Sequence, residues 1–265
     1  MVTNKNNHSD VPKTHPRYES LKYRHRIIEG MKTLVVAEAG LIAHGRGECF
    51  DYILGEKTNE AAKRAIKAAV AMLLLAKKPV ISVNGNTAAL VPRELAKLSN
   101  VIDAPLEINI FYRKVGRIKA IKNVLEKAGA IDIRGINDEK MVEIEGLDSN
   151  RRLVESIQNS DVIMVPLEDG DRTEVLKRIG KKVIAVDLNP ISRTSIWADI
   201  TIVDNIVRTL PVMIAIAKKL KHVEKKELQS IIDNFNNRKN ILLSLETIIR
   251  HVKRQKKVAF KIVKN

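Results

Sequence analysis

Lys181-Lys182-Val183-Ile184-Ala185-Val186-Asp187-Leu188-Asn189-Pro190-Ile191-Ser192-Arg193-Thr194-Ser195-Ile196-Trp197-Ala198-Asp199-Ile200-Thr201-Ile202-Val203-Asp204-Asn205-Ile206 holds two strands, a connection between them and the start of a helix. Residues 183–188 form a short apolar run rich in Val and Ile, bounded by turn formers, which suits a parallel strand covered on both faces. A polar loop and one helical turn lead to a second strand over 199–203, and a helix starts at Asn205. In open α/β sheets ligands bind just past the carboxyl ends of the strands. The first strand ends in Asp187 and Asn189 and the second in Asp204 and Asn205, with Arg193 and Thr194 in the connection. A carboxylate accepts from ribose hydroxyls, an amide reads a base edge and an arginine forks onto phosphate, so these residues outline a nucleotide pocket. The same residues are also ordinary turn formers and helix caps.

Working outward, the pattern repeats. Strands are expected over 79–83, 104–110, 131–134 and 161–166, with helices over 59–76 (capped by Thr58), from Arg117 to Lys127, and over 150–158 and 172–179. This alternation predicts an α/β fold with a doubly wound, mostly parallel sheet of about six strands. Before it, residues 1–12 read as a disordered leader and a helix runs from His15 through Met31. A second helical segment over 32–39 is expected to stop at Gly40. Residues 41–52 then read as a loop in which Gly45 and Gly47 bracket Arg46, freeing that side chain to project toward a ligand. After Asn205 two helical patterns follow, to Leu220 and over 225–253, as a C-terminal helical appendage. The expected division is a leader (1–12), a catalytic domain with N-terminal helices (13–220) and a basic helical extension (221–265).

Composition narrows the class. The net charge is +16, and residues 218–265 carry 14 Lys or Arg against 4 Asp or Glu. Such a tail follows a nucleic-acid backbone or forms a solvated helix face, and it lacks the interleaved aromatics that stack on bases. Aromatics make up only 3% of the chain, so the core must be aliphatic. One cysteine excludes an intrachain disulfide framework and fits a reducing cytoplasm. No apolar stretch is long enough to span a bilayer as a helix.

Asn84-Gly85-Asn86-Thr87 follows a strand and opens a helix, where free N–H groups make an anion cradle. It lacks the Lys-Ser/Thr of a Walker A loop, and Thr87 reads equally as a helix cap. Arg113, Lys114 and Arg117 fall at the carboxyl end of the next strand. Gly45-Arg46-Gly47-Glu48-Cys49-Phe50 carries only two glycines of the dinucleotide fingerprint and follows helix rather than strand, which excludes that motif. Cys49 reads as a packing residue, His44 as an acid–base group or a structural histidine, and no metal-ligand spacing occurs.

Several stretches taken together resemble archaeal phosphopantothenate synthetase, also called 4-phosphopantoate–β-alanine ligase. They are His15-Pro16-Arg17-Tyr18, Tyr23-Arg24, Ile28-Glu29-Gly30-Met31, residues 39–48, Val83-Asn84-Gly85-Asn86-Thr87, and residues 187–195. The resemblance covers roughly residues 12–220. It implies a homodimeric, Rossmann-like, cytoplasmic enzyme of coenzyme A biosynthesis that joins 4-phosphopantoate to β-alanine, with ATP going to AMP and diphosphate. ATP contacts carried over from the family fall on Arg24, Arg46, Asp187, Leu188, Asn189, Arg193, Thr194, Asn205 and Ile206. The 4-phosphopantoate phosphate is expected on chemical grounds at Asn84, Gly85, Asn86 and Thr87, with Arg113 or Arg117.

The chemistry expected is attack of the pantoate carboxylate on the α-phosphorus, then attack of the β-alanine amine on the acyl-adenylate. Arg24 and Arg46 would neutralise the triphosphate together with Mg²⁺ held by phosphates and water, and His44 or Glu48 would assist the amine. The alternative is a basic nucleic-acid-binding protein on the same scaffold, with the tail as its contact surface.

Overall fold

The computed structural model describes residues 11–136, 141–142 and 153–262. Most of the expected leader, and the first residues of the helix expected over 150–158, lie outside them. In chain order the elements are α1 (Tyr18–Lys32), α2 (Glu38–Leu54), α3 (Glu60–Leu75), β1 (Pro79–Val83), α4 (Gly85–Leu90), α5 (Pro92–Ile102), β2 (Leu106–Ile108) and α6 (Val115–Lys127). Then come β3 (Ile133–Arg134), β4 (Met141–Val142), β5 (Leu153–Val154), α7 (Glu155–Asn159), β6 (Val162–Pro166) and α8 (Gly170–Arg178). The chain continues with β7 (Lys182–Val186), α9 (Arg193–Trp197), β8 (Ile200–Ile202), α10 (Ile206–Leu220), α11 (Lys225–Asp233) and α12 (Asn237–Ile262).

Six strands form one sheet in the order β3-β2-β1-β6-β7-β8, every neighbouring pair parallel. The chain winds outward in one direction through β1, β2 and β3, then in the other through β6, β7 and β8. Its topological switch point is therefore the seam between β1 and β6, where such sheets open a crevice. A separate antiparallel ribbon pairs β4 with β5.

The core follows from the period-2 alternation of strand side chains. Ile81, Val83, Met164, Ile184, Val186, Ile200 and Ile202 pack toward a helical layer that includes Ile66 of α3, Leu98 of α5 and Leu210 of α10. Val80, Ile163, Val165, Val183 and Ala185 face the other way, onto Ile157 and Leu176. Each fully buried Val or Ile contributes about 1.5–3 kcal/mol by leaving water, which is how an aliphatic core does without aromatics. No helix among the described residues is long and apolar enough to cross a membrane.

Five expectations are corrected. The segment over 32–39 is not a continuous helix, because α1 ends at Lys32 and α2 starts at Glu38. Gly40 ends nothing, and Gly45-Arg46-Gly47 lies inside α2 rather than in a loop. Each glycine costs a helix about 1 kcal/mol relative to Ala, so tertiary contact must override local preference here. At Gly40 the reason is steric: a Cβ would stand 2.3 Å from Asn86 Oδ1 and 2.7 Å from a Val36 methyl carbon. Asn59 rather than Thr58 caps α3, accepting from Ala62 N–H. The last helical pattern breaks into α11 and α12, which lie on α3 and on α2 and α3 respectively as the C-terminal helical extension.

Candidate functional site

A cavity of about 590 Å³ opens over the carboxyl ends of the strands, spanning the switch point. Its walls come from α1 (Glu19, Ser20, Tyr23) and α2 (Gly40, His44, Arg46, Gly47, Asp51) on one side. Opposite stand residues following β1 (Asn84, Gly85, Asn86), β2 (Asn109 to Tyr112), β6 (Leu167 to Asp169), β7 (Leu188) and β8 (Asn205 to Arg208).

Asn84 locks the seam. Its Oδ1 accepts from Thr87 N–H, while its Nδ2 donates to the carbonyls of Pro166 and Leu167, both at 3.0 Å. Leu167 takes a left-handed conformation (φ 54°), which turns its carbonyl inward at a local cost. The Thr87 hydroxyl accepts from Asn84 N–H, completing a capping box, and Thr87 is fully buried. Asn84 and Thr87 are thus spent on the scaffold, and Thr87 is not among the cavity-lining residues. Gly85 admits no side chain, since a Cβ would meet the Val35 carbonyl at 2.3 Å. Asn86 Nδ2 donates to Gly40 O at 2.8 Å and so clips α2 to this end of the crevice.

Arg117 lines the same end. Its Nη1 donates to Tyr112 O (2.7 Å) and Nη2 to Val35 O (3.3 Å), while Nε is buried without a partner. Burial pushes its pKa down from the usual arginine value. Arg113 instead donates to Gly135 O beyond β3 and is not a lining residue. Asn109 lines the cavity and is buried, with an unpartnered amide nitrogen.

At the other end α2 passes over the loop after β7, where a Cβ on Gly47 would meet Leu188 at 3.5 Å. Arg46 lines the cavity, and its charge favours the ionised form of Asp187, whose pKa burial pushes up overall. Asp187 accepts from Asn189 N–H (2.9 Å) and the Ser192 hydroxyl (2.5 Å). Asn189 accepts from Ile191 N–H, so both residues organise the turn. Asn205 caps α10 and donates Nδ2 to Asp51 at 2.7 Å. Ile206 is buried in the lining beside it.

Arg193, Thr194 and Arg24, like Asp187 and Asn189, are expected nucleotide contacts that do not line the cavity. Arg193 is exposed and paired with Asp171 and Glu174 of α8. Thr194 is buried, its hydroxyl donating to Glu168 O at 2.9 Å. Arg24 donates through its single Nη2 to both Glu48 carboxylate oxygens (2.9 and 2.8 Å), and Arg17 stands 3.5 Å from the same carboxylate. Glu48 and His44 do line the cavity. Burial lowers the His44 pKa, outweighing the opposite pull of Glu48, and so favours the neutral imidazole. Cys49 is exposed on α2, not packed.

Residues that sequence reasoning passed over join two ionic clusters. Arg208 contacts Asp51 (2.5 Å) and Asp204 (2.7 Å), and the Thr58 hydroxyl donates to Asp204 at 2.6 Å. The i,i+4 spacing of Asp204 and Arg208 was the available signal; Asp51 carried none. Below the switch point, Glu168 pairs with Arg172 at 2.7 Å, with side chains 12% and 3% exposed. Fully buried Glu107 accepts from the Ser156 hydroxyl and Ile157 N–H and feels the same guanidinium. Burial raises the pKa of both carboxyls, against the pull of Arg172. The position of Glu168 at a strand's carboxyl end was legible in the sequence; its pairing was not.

Comparison with known proteins adds the family. Residues 61–251 match the model for phosphopantothenate/pantothenate synthetase. The 4-phosphopantoate–β-alanine ligase of Thermococcus onnurineus is 53% identical over 246 residues, 92% of each chain. That of Thermococcus kodakarensis is 52% identical over 247 residues, again 92% of each. The ligase of the same name from Methanosarcina mazei is 45% identical over 247 residues, covering 92% of this chain and 96% of its own.

Proposed function

The chain belongs to the phosphopantothenate/pantothenate synthetase family, and we propose that its crevice is where 4-phosphopantoate is joined to β-alanine with ATP going to AMP and diphosphate. The enzyme is a C–N bond-forming ligase of phosphopantothenate synthesis. The observation that carries the site assignment is the cavity of about 590 Å³ lying across the switch point, with polar arms on both sides of it. One arm suits a nucleotide: Arg46, Leu188, Asn205 and Ile206, with Asp187 and Asn189 in the turn beneath. The start of α10, capped by Asn205, adds the positive end of its helix dipole there. The other arm suits the phosphate of 4-phosphopantoate: Gly85 and Asn86 with Arg117, whose Nε and the nearby Asn109 amide are donors in search of an acceptor.

In this reading the pantoate carboxylate attacks the α-phosphorus at the seam between the arms, forming an acyl-adenylate and releasing diphosphate. The β-alanine nitrogen then attacks the acyl carbon and AMP leaves. Fixed cations favour the crowding of two polyanions, and Arg46 is the exposed guanidinium that serves this. Arg24 acts through Glu48, holding α1 to α2 rather than touching phosphate. Arg193 and Thr194 act likewise by fixing α9 to α8 and to Glu168. The nitrogen of β-alanine arrives protonated. Glu168, at the seam and open to the cavity, binds that ammonium and takes one proton before attack, while Arg172 beneath it fixes its orientation; the second nitrogen proton leaves with the departing AMP phosphate. His44, its neutral form favoured, stands on the α2 wall as a hydrogen-bond partner.

Mg²⁺ would travel with the triphosphate, because the carboxylates of Glu48 and Asp51 are already held by arginines. Its charge would offset that of the phosphates. A homodimer is supported by the exposed apolar stripe Leu242, Ile249 and Val252 along α12, and light scattering tests it. The function itself is tested by AMP release that requires both 4-phosphopantoate and β-alanine. Release of ADP, or of AMP without β-alanine at full rate, sinks this route.

A further inference from the structure

A second cavity, of about 560 Å³, lies on a different part of the molecule, between the start of α3 and the middle of α12. Its charge balance is one-sided. Lys57, Arg64, Arg250 and Arg254 line it, and the only carboxylate among its lining residues is Glu60. Glu60 is already taken by Lys63 at 2.7 Å. Among the described residues, none of the four cations forms a salt bridge; Arg64 acts on Glu60 only through its field, and Arg250 Nε donates to the Glu246 carbonyl at 3.4 Å. Arg250 and Arg254 stand one helical turn apart, where like charges repel. A fold that gathers four unpaired cations around one hollow lowers its own stability unless something anionic sits there.

Two further features favour an anion with several oxygens. Asn59 caps α3 with its oxygen, which leaves its amide nitrogen buried beside the cavity with no acceptor. The first turn of α3, a helix of 16 residues, forms the same wall, and its N-terminal N–H groups add positive potential.

We propose that this hollow is a binding site for a small anion carrying two or more phosphoryl groups, such as free oligophosphate or the phosphate tail of a nucleotide. Multiple phosphoryl groups match the spread of four cations better than a single carboxylate, and arginine forks suit phosphate oxygens. The site is distinct from the crevice but wired to it. Thr58 lines the hollow and donates to Asp204, Asp204 accepts from Arg208, and Arg208 grips Asp51 in the crevice wall.

Calorimetric titration of the full chain with inorganic triphosphate is the test, run on wild type, Arg250→Gln/Arg254→Gln and Arg46→Ala. The expected result is two classes of site in wild type. The double variant should lose one class, at least tenfold in affinity, and keep its ligase turnover, while Arg46→Ala loses the other. Lys57→Gln should weaken the same class as the double variant, which guards against a helix-specific artefact. An isotherm unchanged in the double variant and in Lys57→Gln overturns the proposal. So does tight, steeply salt-dependent binding of a 20-nucleotide RNA that needs Arg250 and Arg254 when triphosphate shows no such site. Titrations with AMP, ATP and diphosphate identify the source: equal affinity for ATP and triphosphate assigns the phosphate tail alone, and tighter ATP binding assigns a nucleotide.

Discussion

Arg208 grips Asp51 across 157 positions of chain, with Nη2 2.5 Å from Oδ1 and Nη1 3.1 Å from Oδ2. That contact fixes the C-terminal half of α2 to the start of α10 and so closes the crevice along one side. Asp51→Ala leaves Arg208 half-partnered and Asn205 Nδ2 without its acceptor. It should cost about 1–3 kcal/mol, the range for stranding buried hydrogen-bonding groups. Thermal unfolding measures that loss, and turnover should fall with it because α2 loosens.

Arg46 and Arg24 should separate in the opposite sense. Arg46 is exposed and forms no hydrogen bond or salt bridge among the described residues, so Arg46→Ala should leave stability within about 0.5 kcal/mol while turnover falls about 100-fold or more, as when a donor to transition-state charge is removed. Arg24→Ala removes the nearer of the two arginines on Glu48, with Arg17 and the Tyr52 hydroxyl remaining, and should cost about 1 kcal/mol, the upper range for a partly exposed ion pair. Paired melting curves and steady-state rates check both. A large loss of stability in Arg46→Ala would make that arginine structural.

Glu168 should govern the acid limb of the rate. Burial holds its carboxyl above the ordinary range, and the proposed proton acceptor must be ionised. Turnover should therefore rise with pH through that raised value. Glu168→Gln should lower turnover about 100-fold or more, within the range for general base catalysis, and abolish the limb. Retention of the limb in Glu168→Gln would transfer the role elsewhere, with His44→Gln the next variant to profile.

Glu107 gives a stability prediction with a definite sign. Its folded pKa is raised by burial, so folding takes up a proton between the unfolded and folded values. Stability from this group is complete below the ordinary carboxylate range and declines as pH rises through the raised value. Glu107→Gln removes the titration while its side-chain oxygen can still accept from Ser156 and Ile157. The variant's melting temperature should fall less than that of wild type between mildly acidic and neutral pH. An identical pH profile in the two proteins would count against this.

Much of the architecture was legible because strands and helices announce themselves locally. The runs at 79–83, 161–166 and 183–188 are short, apolar and bounded by turn formers, and they alternate with helical patterns, so a mostly parallel sheet of about six strands followed without knowledge of contacts. The carboxyl-end rule brought Asn84 to Asn86 and Asn205 to one rim, since strand direction alone fixes which loops share it; Leu188 and Ile206 came from the family resemblance. Glycine misled the reading of α2. Gly40, Gly45 and Gly47 resemble loop punctuation in sequence, whereas at Gly40 the missing Cβ admits Asn86 to the helix backbone.

What the sequence determined by itself is the doubly wound sheet and the rim that carries the proposed site, because hydrophobic patterning and strand polarity are properties of neighbouring residues. Which cation faces the cavity was decided only by tertiary structure. Arg24 and Arg193 are as basic as Arg46, yet packing sets Glu48 against the first and Asp171 and Glu174 against the second. Ion pairing depends on separation in space, which falls below 4 Å or does not according to how helices cross, and no spacing along the chain encodes that distance.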